Sequence, residues 1–184
     1  MSDTGKLLVV VGPSGVGKGT VIRQALEQDP TMWLSVSVTG RAPRPGEVNG
    51  TDYVFVSREE FATMAQSDAL LEWAEYAGNP YGTPRQPVQE RLTAGQSVIL
   101  EIDIAGARQV KANLPEAVVV FLAPPDVAEL ERRLRGRGTE TEESVQRRLA
   151  IAQTELAAEP ECDLVIVNDD VQVAAAQLIE LAHR

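Results

Sequence analysis

The chain of 184 residues is long enough to bury a substantial core as one domain, and its single cysteine, Cys162, excludes an internal disulfide. Its 27 acidic against 17 basic residues give a formal charge of −10, which disfavours nonspecific binding to nucleic acid or acidic membranes. One histidine, His183, leaves no His/Cys metal cluster and no Ser-His-Asp triad, so Cys162 reads as a small apolar residue rather than a nucleophile.

The first predicted element is a strand over Leu7–Val11, followed by Gly12-Pro13-Ser14-Gly15-Val16-Gly17-Lys18-Gly19-Thr20 and then a helix over 21–28. Strand, glycine-rich turn and helix is the setting in which G-x-x-x-x-G-K forms a phosphate-binding loop. The glycines let backbone N–H groups point inward at phosphate oxygens, the helix N-terminus adds a positive end, and Lys18 can reach the β- and γ-phosphates. One position departs from the usual pattern. Gly19 stands where a hydroxyl residue, often a Mg2+ ligand, commonly follows the lysine, and Thr20 comes one step later. The loop points to a nucleoside triphosphate, and only weakly to a GTPase or motor ATPase.

From about 32 to 82 the rhythm changes. Residues 33–38 and 52–56 alternate as half-solvated strands around a turn-rich stretch, 41–50, that carries Arg41, Arg44 and Glu47. Ser57 and Glu60 have capping-box spacing and predict a helix running to about Gln66. Glu72 then sits beside Leu70, Leu71 and Trp73, and 79–83 reads as a tight turn bearing Tyr81 and Thr83. The whole segment looks like a small mixed insertion with its own open face.

Beyond it, helices are predicted over 87–94, 105–113 and 127–135 and strands over 97–102, 118–122 and 164–167, with a closing helix over 171–182. Strands of unbroken Val, Ile and Leu are buried on both faces, which implies a parallel sheet covered by helices, with ligands at the carboxyl ends of the strands. Residues 137–158 break this order: a glycine-flanked turn at Arg137, a second capping box at Thr139 and Glu142, and a helix over 143–158. A helix–glycine–helix excursion of this kind has the shape of a lid. Arg132 and Arg135 read as solvated helix charges. Arg147 and Arg148 point about 100° apart on a helix, so one of them, Arg148, is taken to face the phosphates.

The insertion suits a nucleoside monophosphate. Arg41 and Arg44 can fork onto its phosphate, with Tyr53 and Tyr81 adding phenolic donors. Guanine presents adjacent N1–H and N2 donors to an ionised carboxylate such as Glu72, and its O6 and N7 acceptors to hydroxyls such as Ser37 and Thr83. Adenine would leave that carboxylate unpaired.

With these motifs in place the chain resembles guanylate kinase over essentially its whole length: the loop at 12–20, Arg41 through Tyr53, Glu72-Trp73, Gly78-Asn79-x-Tyr81-Gly82-Thr83, Glu101-Ile102-Asp103, Gly136-Arg137-Gly138-Thr139 and Asn168-Asp169-Asp170. The resemblance implies a three-layer α/β P-loop kinase fold with a central parallel sheet, a GMP-binding subdomain and a helical lid. Its expected limits are core 1–32, 84–128 and 159–184, GMP subdomain 33–83 and lid 129–158. It further implies transfer of the γ-phosphoryl group of ATP to GMP, and to dGMP, in purine nucleotide metabolism, with Mg2+ accompanying ATP. Ser37, Glu72 and Thr83 would then contact guanine, and Arg41, Arg44, Tyr53 and Tyr81, with Glu47 among them, would hold the GMP phosphate. Asp103 would lie between the substrates, Asn168 near adenine, and Lys18, Arg137 and Arg148 at the transferring group, with Arg41 also counted among the catalytic residues. The metal ligand stays open between Thr20, Asp103 and water.

Two other function classes compete. A scaffold that binds phosphopeptides through the arginine–tyrosine pocket would be expected to lose loop residues, yet Gly12, Gly17 and Lys18 are all present. A nucleotide switch would need an N-K-x-D base motif, which is absent. A cytoplasmic enzyme acting on small nucleotides is expected, without a nucleic-acid or membrane partner. A monomer is favoured, with the oligomeric state left open.

Overall fold

The computed structural model describes residues 4–135 and 142–184. Its core is a five-stranded parallel sheet of β1 (Leu7–Val11), β2 (Trp33–Leu34), β7 (Val98–Glu101), β8 (Val118–Ala123) and β9 (Leu164–Val167), in the order β2-β7-β1-β8-β9. Every residue of β1 is buried. Alternate residues feed opposite faces, as the period of two in a strand requires. Leu8 and Val10 pack with Ile99, Val120, Leu122 and Ile166 against α1 (Lys18–Gln28) and α7 (Val171–His183). Leu7, Val9 and Val11 pack with Val98, Leu100, Val119 and Phe121 against α3 (Arg85–Thr93) and α4 (Ile104–Asn113). The result is three layers. Leu8→Ala would remove a fully buried side chain from the central strand, at a cost of about 2–5 kcal/mol.

The strand order reverses at β1, which sits between β7 and β8. Such a switch point opens a crevice at the carboxyl ends of the strands, and the 12–20 loop and Glu101–Asp103 emerge there.

A second sheet, ordered β4-β3-β6-β5, comprises β3 (Val38–Thr39), β4 (Val54–Phe55), β5 (Leu70–Tyr76) and β6 (Asn79–Pro84). It has a small core of its own in Val38, Phe61 and Leu70, where Phe61 belongs to α2 (Arg58–Gln66). The predicted capping box at Ser57 and Glu60 forms with both of its hydrogen bonds, and α2 ends at Gln66 as expected. The sheet is joined to the body along α4. Gln109 exchanges hydrogen bonds with the Trp73 backbone, and Asn113 donates to the Leu71 carbonyl, so side chains of α4 occupy the open edge of β5.

Three boundaries differ from expectation. Trp33 and Leu34 pair with Val98 and Ile99 in the core sheet, so the insertion starts later than 33; Arg91 stacking 4.1 Å over the Trp33 ring holds that edge. Residues 79–83 form strand β6, with the turn at Ala77 and Gly78, both at positive φ. Pro80 and Pro84 lie opposite Glu75 and Leu70 in the β5 pairing. The lid was expected from 129, but Leu130 and Leu134 of α5 (Val127–Arg135) lie buried in the main core with Val16. The following helix, α6 (Glu142–Leu156), gives way to a short 3-10 turn at Glu159–Glu161.

Candidate functional site

The loop after β1 turns on Gly17, the left-handed cap of α1 at φ 97°. Glycine is required twice over at that position, because a Cβ there would also meet the Asn168 amide at 2.9 Å. Lys18 folds back over the loop and donates to the Gly12 carbonyl at 2.6 Å. Burial lowers its pKa, and the nearby Glu101, Glu155 and Asp103 oppose that shift.

Side chains from three other elements brace the loop. Arg148 of α6 donates to the Ser14 hydroxyl at 3.1 Å, and Glu155 accepts from the Ser14 N–H at 3.0 Å. Arg133 of α5 donates to the carbonyls of Val16 and Asn168, and Asn168 itself donates to Val16. Asn168 is 2 % exposed and its Oδ1 has no partner among the described residues. The structure thus puts Asn168 behind the loop as a brace. Arg147 pairs with Glu143 in solvent, so Arg148 is the member of the arginine pair that reaches the loop. Arg132 and Arg135 make surface ion pairs with Glu129, Glu131 and Glu142, as their reading as helix charges implies. Arg137 and Thr139 lie outside the described residues.

On the insertion, Arg41 is held from every side. Both its terminal nitrogens donate to Glu47 at 2.7 Å, its Nε donates to the Tyr81 hydroxyl at 2.9 Å, and its guanidinium lies 5.1–5.9 Å from the rings of Tyr53, Phe55 and Tyr81. Glu47 also accepts from the Arg44 backbone N–H, and these bonds hold its carboxyl at about 2, well below the usual range. Glu47 therefore holds the Arg41 side chain and the Arg44 backbone in place while bordering the same cavity as both arginines. Because the Tyr81 oxygen accepts from Arg41, its own proton stays available to an incoming anion.

Glu72 lies at the other end of the same pocket. It is 7 % exposed, accepts from the Thr83 hydroxyl at 2.7 Å, and has its pKa raised chiefly by desolvation. Thr83 is its partner across the β5–β6 pair. Asp103 caps α4 by accepting from the Gly106 N–H at 2.7 Å, which occupies one of its two oxygens.

Two cavities meet between these groups. One, of about 420 Å3, is bordered by Ser37, Arg41, Arg44, Tyr53, Glu72 and Tyr81. The other, of about 950 Å3, reaches Gly12, Lys18 and Glu155. They share Ser37, Tyr53 and the Glu101–Asp103 segment, so the carboxyl end of β7 is their common wall. Sequence reasoning missed Glu101, Arg133 and Glu155. Glu101 had a signal, its place at the end of a strand beside β1; the other two are helix charges with no local signature.

The arrangement can seat two phosphorylated ligands end to end, one on the loop and one on the insertion. A family model described as guanylate kinase matches residues 4–183. A guanylate kinase of Synechococcus sp. (strain CC9311) is 60 % identical over 170 residues, 92 % of this chain and 90 % of that protein. A guanylate kinase of Thermobifida fusca (strain YX) is 57 % identical over 176 residues, 96 % of this chain and 90 % of that one. Among solved structures, the guanylate kinase from Anaplasma phagocytophilum superposes with a TM-score of 0.77 at 35 % identity, covering 99 % of this chain and 86 % of that one. With its parallel sheet, phosphate loop and two-ended cleft, the chain belongs to the guanylate kinase family.

Proposed function

We propose that the chain transfers the γ-phosphoryl group of ATP to GMP, and also to dGMP, giving ADP and the corresponding diphosphate. The observation that carries this reading is the buried Glu72–Thr83 pair at one end of a cavity whose other end holds Arg41 in an aromatic cage. A buried carboxylate fits a base with two adjacent donors, and its desolvation makes an unmatched base costly. Ser37 answers a base acceptor, Thr83 gives its hydroxyl proton to Glu72 and so fixes that acid at the base, Arg41, Arg44, Tyr53 and Tyr81 hold the monophosphate, and Asp103 stands between the two substrates. ATP occupies the 12–20 loop, with the adenine near Asn168.

The acceptor is already an anionic phosphate, so no general base is required. Catalysis then consists of holding two polyanions in line and stabilising charge on the oxygens in transit. Lys18 and Arg148, both in contact with the loop, supply that charge, with Arg137 as a third group. Arg41 contributes by fixing the acceptor phosphate from a guanidinium that Glu47 and Tyr81 hold in place. Among the described residues no three or more His, Cys, Asp and Glu converge as a metal cage. A Mg2+ would therefore be held mainly by the nucleotide's own phosphates and water with one protein carboxylate, a set that suits it, and it would offset phosphate charge.

No described helix is long and apolar enough to cross a membrane, and the net charge of −10 suits a cytoplasmic protein that handles small soluble nucleotides without nucleic acid. We take the monomer as the working unit, since both seats lie within one chain. Incubation with ATP and GMP should yield ADP and GDP in equal amounts by chromatography. ATP consumption without GDP would refute the proposal.

A further inference from the structure

One helix grips Ser14 of the phosphate loop at two points. The Ser14 hydroxyl oxygen accepts from Arg148 at 3.1 Å, and the Ser14 N–H donates to Glu155 at 3.0 Å. Arg148 and Glu155 both belong to α6 and lie two turns apart, so they project from the same face of it. Ala152, with Leu149 and Leu156 beside it, packs that face on the main core.

The Ser14 N–H has no backbone acceptor among the described residues. Val16 closes the local turn onto the Pro13 carbonyl, and Gly15 follows at φ 87°, so the Ser14 N–H turns outward to α6. Glu155 borders the larger cavity together with Gly12 and Lys18. A negative charge beside a seat for a polyphosphate repels the ligand, so charge does not recommend an acid here. Its acceptor oxygen does, because a half-buried N–H left without a partner is costly.

Resting on the phosphoryl-transfer reading, we propose that Glu155 is a positioning residue for that reaction: by tying the Ser14 N–H to α6 it fixes Arg148 against the phosphate loop. The paired contacts of Arg148 and Glu155 on one loop residue carry the proposal. Without that tie the helix no longer holds one place over the loop, and the guanidinium it carries is displaced with it. A misplacement of about 1 Å is enough to slow a transfer that depends on alignment.

The test is steady-state kinetics with ATP and GMP on wild type, E155A, E155Q, R148A and the double variant R148A/E155A, with thermal melts to check folding. E155A should lower kcat about tenfold, the scale of losing Arg148 itself, and leave the KM for GMP within about twofold. E155Q offers the same N–H an amide oxygen and should restore kcat to within about threefold of wild type. In the R148A background, E155A should lower kcat by less than about twofold, because the group it positions is already gone. E155M keeps the aliphatic stem without an acceptor and replaces E155A should that variant not fold. Equal losses from E155A in both backgrounds would overturn the proposal, as would wild-type kcat in E155A. E155Q as slow as E155A would also overturn it, since the charge of Glu155 on Lys18 would then be what matters. Wild type that formed no GDP would overturn the phosphoryl-transfer reading along with it; the other outcomes concern Glu155 alone.

Discussion

Glu72 and Gly106 touch across the seam between the insertion and the core: a Cβ at residue 106 would stand 2.8 Å from the Glu72 Oε2. The other oxygen, Oε1, takes the Thr83 hydroxyl. The first turn of α4 thus lacks a side chain at the place where β5 presents its buried acid.

Gly106→Ala should therefore disturb the guanine seat first. The added methyl also meets Ile102 at 3.2 Å, so a loss of about 1–3 kcal/mol in urea unfolding is expected. The KM for GMP should rise at least about fivefold while that for ATP changes less than about twofold. An unchanged KM for GMP would mean that Glu72 tolerates displacement.

Glu72→Gln keeps the shape and removes the charge. Loss of a charge-assisted pair, about 1.5–3 kcal/mol, should lower kcat/KM for GMP roughly 10- to 100-fold. The pH dependence of stability has a definite sign. Desolvation raises the Glu72 pKa above its ordinary 4.5, so the folded state binds the proton more tightly than the unfolded chain. Its contribution is fully present below 4.5 and is lost as pH rises through the raised value. Relative to E72Q, the nucleotide-free wild type should lose stability over that rise, measured by thermal melts at stepped pH. A gap that moved the other way would contradict the burial of an ionisable Glu72.

Glu47 runs in the opposite direction. Its carboxyl is held at about 2 by the Arg41 side chain and the Arg44 backbone N–H, so the stability it adds is present above its ordinary 4.5 and is lost as pH falls toward 2. The stability difference between wild type and Glu47→Gln should close over that acid interval. At neutral pH, Glu47→Gln should raise the KM for GMP more than it lowers kcat, because Arg41 loses its brace. An effect on kcat alone would place Glu47 in the transfer step instead.

Lys18→Ala should lower kcat by at least about a hundredfold, the usual loss of one electrostatic donor to the transition state. Arg148→Ala should lower it at least about tenfold with little change in the KM for GMP, since its contact is with the donor loop. Stopped-flow or coupled assays check both, and wild-type turnover in Lys18→Ala would remove the loop from catalysis.

The parallel sheet was legible because its strands are buried on both faces and read as unbroken apolar runs, and because Gly12–Thr20 carries its own turn chemistry. The capping box at Ser57 was equally local. Strand β6 was not legible: Pro80, Gly82 and Pro84 in one short run look like a turn, and only pairing with β5 and β3 makes them a strand. Trp33 and Leu34 alternate like insertion strands, yet their partners lie some sixty-five residues away in β7. Around the two cavities, lining residues such as Lys18, Ser37, Arg41, Tyr53, Glu72 and Tyr81 could be read from spacing, whereas the braces could not. Glu155 meets Ser14 across 141 positions and Arg133 meets Val16 across 117, and neither helix face advertises the contact. For Glu47, which borders the cavity beside the two arginines, only the fold shows that Arg41 takes both of its oxygens.

The most direct test is the ratio of kcat/KM for GMP to that for AMP, each with ATP, in wild type and in Glu72→Gln. A site built around a buried acceptor should favour GMP by about 10^4-fold or more, and Glu72→Gln should cut that ratio by at least about tenfold. AMP used as well as GMP by the wild type, or a ratio unmoved by Glu72→Gln, would contradict the assignment of Glu72 as the reader of the base.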